Sequence, residues 1–145
     1  MIELITTIAI TAGSFLLFAY WFRYTCLLIL SAKTAHDYAG DLALANGLSI
    51  AQIRSQLQAD SAADLAGLNV ALERDYAVVQ RLIQGAAGEQ ANIENRMLQI
   101  HYRINGVWFG IARTFSPTAA RQALEEMSAV VAHFANVAGE AAAAA

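Results

Sequence analysis

The sequence predicts an all-α protein with one N-terminal transmembrane helix followed by a small antiparallel helical bundle. Three observations predict this class: a long uncharged apolar run at the N-terminus, later apolar residues at helical spacing, and no later stretch with the two-residue period of a strand. Apolar residues make up 57% of the chain and charged residues 14%, against ~25% charged in a typical soluble domain. We expect residues 1–32 to form the membrane anchor and residues 33–145 to form the bundle.

The N-terminal run is long enough to cross a bilayer. Residues 4–22 carry no charge, and at ~1.5 Å of rise per residue they cover most of the ~30 Å hydrocarbon core. A cleaved signal peptide would begin with a positive segment, whereas this chain begins Met-Ile-Glu. A second register, roughly residues 8–30, remains open and would place Arg23 deeper in the membrane, where it must snorkel or pair.

Aromatic and basic residues mark the end of this run. We expect Tyr20, Trp21, Arg23 and Tyr24 to lie at the membrane interface, where such side chains reach the headgroups. Basic residues follow the run, at Arg23 and Lys33, and none precedes it. The positive-inside rule therefore predicts a single-pass membrane protein whose C-terminal domain lies in the cytoplasm.

Small and hydroxyl residues on one face of the run predict contact with another transmembrane helix. Thr7, Thr11 and Ser14 are spaced i, i+4 and i+7, and Ala9 and Gly13 form a small-xxx-small pair. Such residues let two helices approach closely and hydrogen-bond across the contact. The alternative is that each hydroxyl bonds the carbonyl four residues earlier in its own helix.

Capping residues predict where the later helices begin and end. Gly47 is typical of the position after a helix C-terminus. Ser49 and Gln52 form a capping box, and Ser116 with Pro117 is typical of a helix start. We expect the first long helix of this part to end at residue 46 and others to span about residues 50–58, 61–84, 89–115 and 117–139.

Apolar stripes along these helices predict the core, and the short connections between them favour an up-down arrangement of antiparallel neighbours. In the helix over residues 89–115, the predicted core stripe comprises Ile93, Met97, Ile100, Ile104, Trp108, Ile111 and Phe115. His101 lies on the same side, and we expect it to be a buried histidine with a hydrogen-bond partner.

The opposite side of that helix is the predicted partner surface. Tyr102, Gly106, Phe109 and Arg113 share a ridge that points about 100–120° away from Trp108. Tyrosine, phenylalanine and arginine are common in protein interfaces, and a glycine permits close backbone approach. Two alternatives remain: a neighbouring helix of the same bundle covers the ridge, or the ridge dips into the membrane surface.

Asp75 is predicted to be a buried ion-pair residue, because on a helical wheel it falls inside the apolar stripe of its own helix. A buried carboxylate costs several kcal/mol unless it is paired. The candidate partners are Arg96, Arg103 and His101.

Composition and motifs argue against catalysis, cofactors and nucleic acid. A single cysteine excludes disulfides and cysteine-cluster metal sites, and no two of the three histidines have helical ligand spacing. The net charge of −3 gives no basic footprint for nucleic acid, and no phosphate loop or nucleophile elbow is present. We expect a protein that is not an enzyme, with no cofactor, no metal and no small-molecule substrate.

Two functional hypotheses remain. The first is a non-catalytic accessory, assembly or scaffolding subunit of a larger membrane protein complex. The alternative is a membrane-tethered helical module that reversibly recruits a cytoplasmic partner. Both imply contact with membrane lipid, and the first also implies contact with other membrane protein subunits, homomeric or heteromeric.

Overall fold

The computed structural model describes residues 1–31, 38–58, 64–86 and 92–144. Within these ranges the chain forms six helices and no strand, so the predicted all-α class is confirmed. The helices are α1 (Ile2–Ser31), α2 (Ala39–Asn46), α3 (Ile50–Gln58), α4 (Leu65–Ala86), α5 (Asn92–Ala112) and α6 (Pro117–Ala144).

The chain divides into two compact units, Met1–Ala32 and Lys33–Ala145. The first unit contains α1, which has 30 residues and is long and apolar enough to span a membrane. None of its most apolar 18-residue window is buried.

In the second unit, α6 is the central helix of a helical bundle. It packs against α2, α3, α4 and α5. Ser116 Oγ accepts a hydrogen bond from the Ala119 N–H at 3.3 Å, so the predicted cap at the start of α6 is confirmed. Apolar residues lie on most sides of this helix. Among the described residues, it supplies more of the large, fully buried side chains than any other helix: Leu124, Met127, Val130, Val131 and Phe134.

Specific contacts fix both ends of the short helix α2. Gly47 has φ +64°, and its N–H and that of Leu48 both donate to the Ala43 carbonyl, which confirms the position of the predicted helix end. The helix that ends there, α2, has eight residues, so the expectation of a long helix was wrong. At the start of α2, the Tyr38 N–H donates to Asn136 Oδ1 of α6 at 2.8 Å. Gly139 lies against Tyr38 so closely that a Cβ there would clash with it.

Three helices end at positions other than those expected. α4 continues to Ala86 rather than ending at Gln84. α5 ends at Ala112 rather than Phe115, because the next N–H groups bond three residues back: Thr114 to the Ile111 carbonyl and Phe115 to that of Ala112. α6 continues past Gly139 through an alanine-rich end, since alanine has the highest helix propensity. The predictions made for Lys33, Ser61, Glu89 and Ala145 lie outside the described residues.

Candidate functional site

The ridge predicted to contact a partner faces the bundle core instead. Tyr102 is 6% exposed and Phe109 is 2% exposed. A Cβ at Gly106 would lie 3.7 Å from Met127 Cε of α6, so Gly106 also faces the bundle. Arg113 is exposed but follows the end of α5. The prediction of a partner surface was therefore wrong for this ridge, and a helix of the same bundle covers it.

Tyr102 also connects α5 to α4. Its ring stacks on that of Tyr76, with centroids 3.9 Å apart and planes at 3°. Burial raises the pKa of the Tyr102 hydroxyl, and the nearby Glu73 carboxylate adds to the shift. Gln99 Nε2 donates to Gln80 Oε1 at 2.8 Å along the same pair of helices. These side chains bring α4 and α5 together beside α6.

Polar contacts hold the buried face of α5 against α6. His101 is 3% exposed, and its Nε2 lies 3.3 Å from Glu126 Oε2 of α6. Asn105 Nδ2 lies 3.2 Å from His101 Nε2 and donates to the His101 carbonyl at 3.0 Å. The expectation of a partnered core histidine is confirmed. Glu126 was missed, because no local pattern indicates which helix a buried histidine meets.

The residues predicted to form the core stripe of α5 are mostly exposed. Met97 is partly buried, but the others of that stripe are between 44% and 76% exposed. These exposed residues and Val107 form a continuous apolar face, which we call the α5 stripe. Soluble monomers rarely expose an apolar patch larger than a few hundred Å². The α5 stripe comprises Ile93, Ile100, Ile104, Val107, Trp108, Ile111 and Phe115.

The α5 stripe has an aromatic end and a basic edge. The Trp108 and Phe115 rings meet edge to face, with centroids 5.8 Å apart. At 100° per residue, Arg96 and Arg103 lie along one edge of the stripe, and both are exposed. Glu94 is the only acidic residue in the sequence of α5.

Asp75 is buried as predicted, at 1% exposure, but its predicted partners were wrong. Its Oδ2 accepts a hydrogen bond from the Ser49 N–H at 2.7 Å, and its Oδ1 lies 4.0 Å from Arg74 Nε. Burial raises the pKa of the Asp75 carboxyl, while the Ser49 hydrogen bond and the Arg74 charge oppose that shift. Asp75 thus joins the start of α3 to α4.

The predicted sites on α1 remain predictions. Tyr20, Trp21, Arg23 and Tyr24 are all exposed, and the Tyr20 and Tyr24 rings stack with centroids 6.5 Å apart.

The hydroxyl face of α1 contains a shallow apolar groove. Its lining includes Thr7, Thr11 and Phe15. Thr7 Oγ1 donates to the Glu3 carbonyl of its own helix at 2.8 Å, as the alternative expectation allowed. A hydroxyl paired in this way still presents a small side chain to a neighbouring helix. The contact predicted for Thr7, Thr11 and Ser14 stays a prediction.

In the part of the chain that the structure describes, no group of three or more His, Cys, Asp or Glu residues could hold a metal ion. The expectation that the protein is not an enzyme and holds no cofactor stays a prediction. In comparisons with known proteins, no family model matches the chain, and no curated protein and no solved structure matches it significantly.

Proposed function

We propose that this chain is a non-catalytic, membrane-anchored accessory or scaffolding subunit of a larger membrane protein complex. The observation that carries the proposal is α1, a 30-residue apolar helix whose most apolar window has no buried residue. A helix of this length and composition is stable in hydrocarbon, where all its backbone groups are paired internally. Burying it in lipid and against other transmembrane helices removes a large apolar surface from water.

The contact within the membrane is assigned to the hydroxyl face of α1. Thr7, Thr11 and Ser14 follow one another along this face, and the groove beside Thr7 and Thr11 provides a surface for another helix. The proposal includes a single span, an antiparallel bundle and a cytoplasmic C-terminal domain, which the Arg23 and Lys33 flank favours.

Affinity purification of the full chain in mild detergent tests the proposed role. We expect other membrane proteins to co-purify at fixed stoichiometry and to remain bound in high salt. A partner that is soluble and lost in salt would instead favour the reversible recruiting module, because exposed charge contacts are screened by salt. Co-purification of no protein at all would contradict both roles.

Matched threonine variants test where the contact lies. Thr7→Leu with Thr11→Leu fills the proposed contact face, and we expect it to release the co-purifying subunits. Thr6→Leu is the control, because Thr6 Oγ1 makes the same bond to its own helix at 2.8 Å but points about 100° away from Thr7. Equal losses in both variants would contradict the assignment of the face.

Cysteine labelling in intact cells tests the orientation. Gln122 is an exposed residue of α6, so Gln122→Cys in a Cys26→Ser background provides one accessible thiol. We expect an impermeant maleimide to label it only after the cells are opened. Labelling of intact cells would reverse the proposed orientation.

A further inference from the structure

We propose that the α5 stripe lies in the lipid–water interface, so that the bundle makes its own contact with an anionic phospholipid surface. This inference goes beyond the proposed function, which concerns α1 and its neighbours in the membrane. It assigns a lipid partner to the largest continuous apolar face among the described residues of the bundle.

The shape of the α5 stripe suits a bilayer surface. Its members from Ile93 to Ile111 lie along one face of α5, over ~27 Å at ~1.5 Å per residue. A helix with such a face lies in the plane of the interface, with its apolar side chains ~5–10 Å deep. Trp108 and Phe115 occur together at one end, and tryptophan in particular prefers the headgroup region.

The charge of α5 complements anionic headgroups. The chain as a whole carries a net charge of −3. Arg96 and Arg103 nevertheless lie exposed along one edge of the α5 stripe, with Glu94 as the only acidic residue of α5. Arginine stems can lie along the apolar surface while their guanidinium groups reach the phosphates. The acidic chain therefore carries a basic edge beside the exposed α5 stripe.

A second copy of the chain fits this face less well. A stable protein interface buries about 800 Å² on each partner, and seven side chains that are 44–76% exposed can supply an area of that order, so the charges rather than the area distinguish the two occupants. A second α5 would bring the same arginines to the contact, and only Glu94 to pair with them. Lipid demands no such pairing. Six residues of sequence separate Ser31 from Tyr38, so an inserted α1 keeps the bundle near the bilayer by covalent attachment alone.

Tryptophan fluorescence of the full chain in vesicles tests the inference. The chain has two tryptophans, Trp21 and Trp108, so Trp21→Phe leaves Trp108 as the only reporter. In vesicles of phosphatidylcholine and phosphatidylglycerol, we expect Trp108 emission to shift to the blue. We expect phospholipids brominated in their acyl chains to quench it, and aqueous iodide to have little access.

A control probe is available on α4. Val70 is 67% exposed and lies on the side of α4 away from its buried residues. Val70→Trp in a chain that also carries Trp21→Phe and Trp108→Phe should be quenched by iodide and not by brominated lipid. Quenching of both probes by lipid would indicate a non-specific collapse of the bundle onto the vesicle and would contradict the proposal.

The basic edge is tested by neutral substitutions. Arg103→Gln should shift the balance between lipid-bound and detached Trp108 about fivefold toward detachment on anionic vesicles, as expected for one basic residue at such a surface. Arg96→Gln should add a similar factor. Arg81→Gln removes the same charge from an exposed position on α4 and should leave the balance unchanged.

Two results would overturn the inference. Trp108 open to iodide but not to brominated lipid would show that water covers the stripe. Trp108 shielded from both quenchers would show that a protein covers it, either a second copy or another subunit. In the chain with Trp108→Phe, Trp21 reports on the anchor alone. Failure of α1 to insert would contradict the proposed function, while quenching of Trp108 by brominated lipid in the Trp21→Phe chain would still support the inference.

Discussion

Replacing Phe109 with alanine is expected to destabilise the bundle far more than replacing its neighbour Trp108. Phe109 is 2% exposed, so truncation removes a buried ring and leaves a cavity. The lost transfer free energy of ~1.5–3 kcal/mol and the cavity together give ~3–5 kcal/mol. Trp108 is 44% exposed and its truncation leaves no cavity, so the expected loss is about 1 kcal/mol.

Thermal unfolding of the two variants in mild detergent, followed by helical circular dichroism, measures this difference. For a domain of this size, 1 kcal/mol corresponds to a shift in Tm of ~4 °C. We expect Phe109→Ala to lower Tm by more than ~10 °C and Trp108→Ala by ~4 °C. Equal shifts, or a larger shift for Trp108→Ala, would refute the assignment of Phe109 to the buried side of α5 and of Trp108 to its exposed side.

Three further substitutions test individual contacts. Asp75→Asn keeps an acceptor for the Ser49 N–H and removes a carboxyl whose pKa is raised by burial. The folded state of the unmodified chain binds the Asp75 proton more tightly than the unfolded state does, so its free energy of unfolding falls as pH rises through the raised pKa. Asp75→Asn should abolish that fall and be the more stable protein at neutral pH, as measured by urea unfolding across pH. Gly139→Ala should cost ~1–3 kcal/mol, because its Cβ meets Tyr38, whereas an alanine within an open helix stabilises; urea unfolding at neutral pH measures the loss. Gly47→Ala should cost ~1–2 kcal/mol in the same assay, because Gly47 has φ +64°.

Each of these predictions has a contradicting outcome. Identical pH profiles for Asp75→Asn and the unmodified chain would show that the carboxyl does not titrate in a buried setting. A stabilising Gly139→Ala would show that Tyr38 does not pack on α6. Gly110→Ala is the control for both glycine substitutions, because a Cβ there meets nothing within 4 Å and α5 should gain stability.

Signals from neighbouring residues in the sequence were sufficient to predict several features of the structure. The end of α2 at Gly47 and the cap of α6 at Ser116 follow from residue types whose effects reach only a few positions along the chain. The burial of Asp75 was also predictable, because its own helix places it in line with apolar neighbours. The identity of its partner was not, because Ser49 is 26 residues away in the sequence.

The sequence by itself determined the helical class, the apolar length of α1 and several helix ends, because helical period, propensity and capping are local properties. Only the tertiary structure decided which side of α5 is buried. Both sides carry large apolar residues, Tyr102 and Phe109 on one and Ile104 and Trp108 on the other, so burial of either would release a comparable free energy. The buried side is the one whose shape fits α6 and whose polar residue, His101, meets Glu126 there. Complementarity between helices that are distant in sequence leaves no periodic signal along the chain, so the sequence alone could not show it.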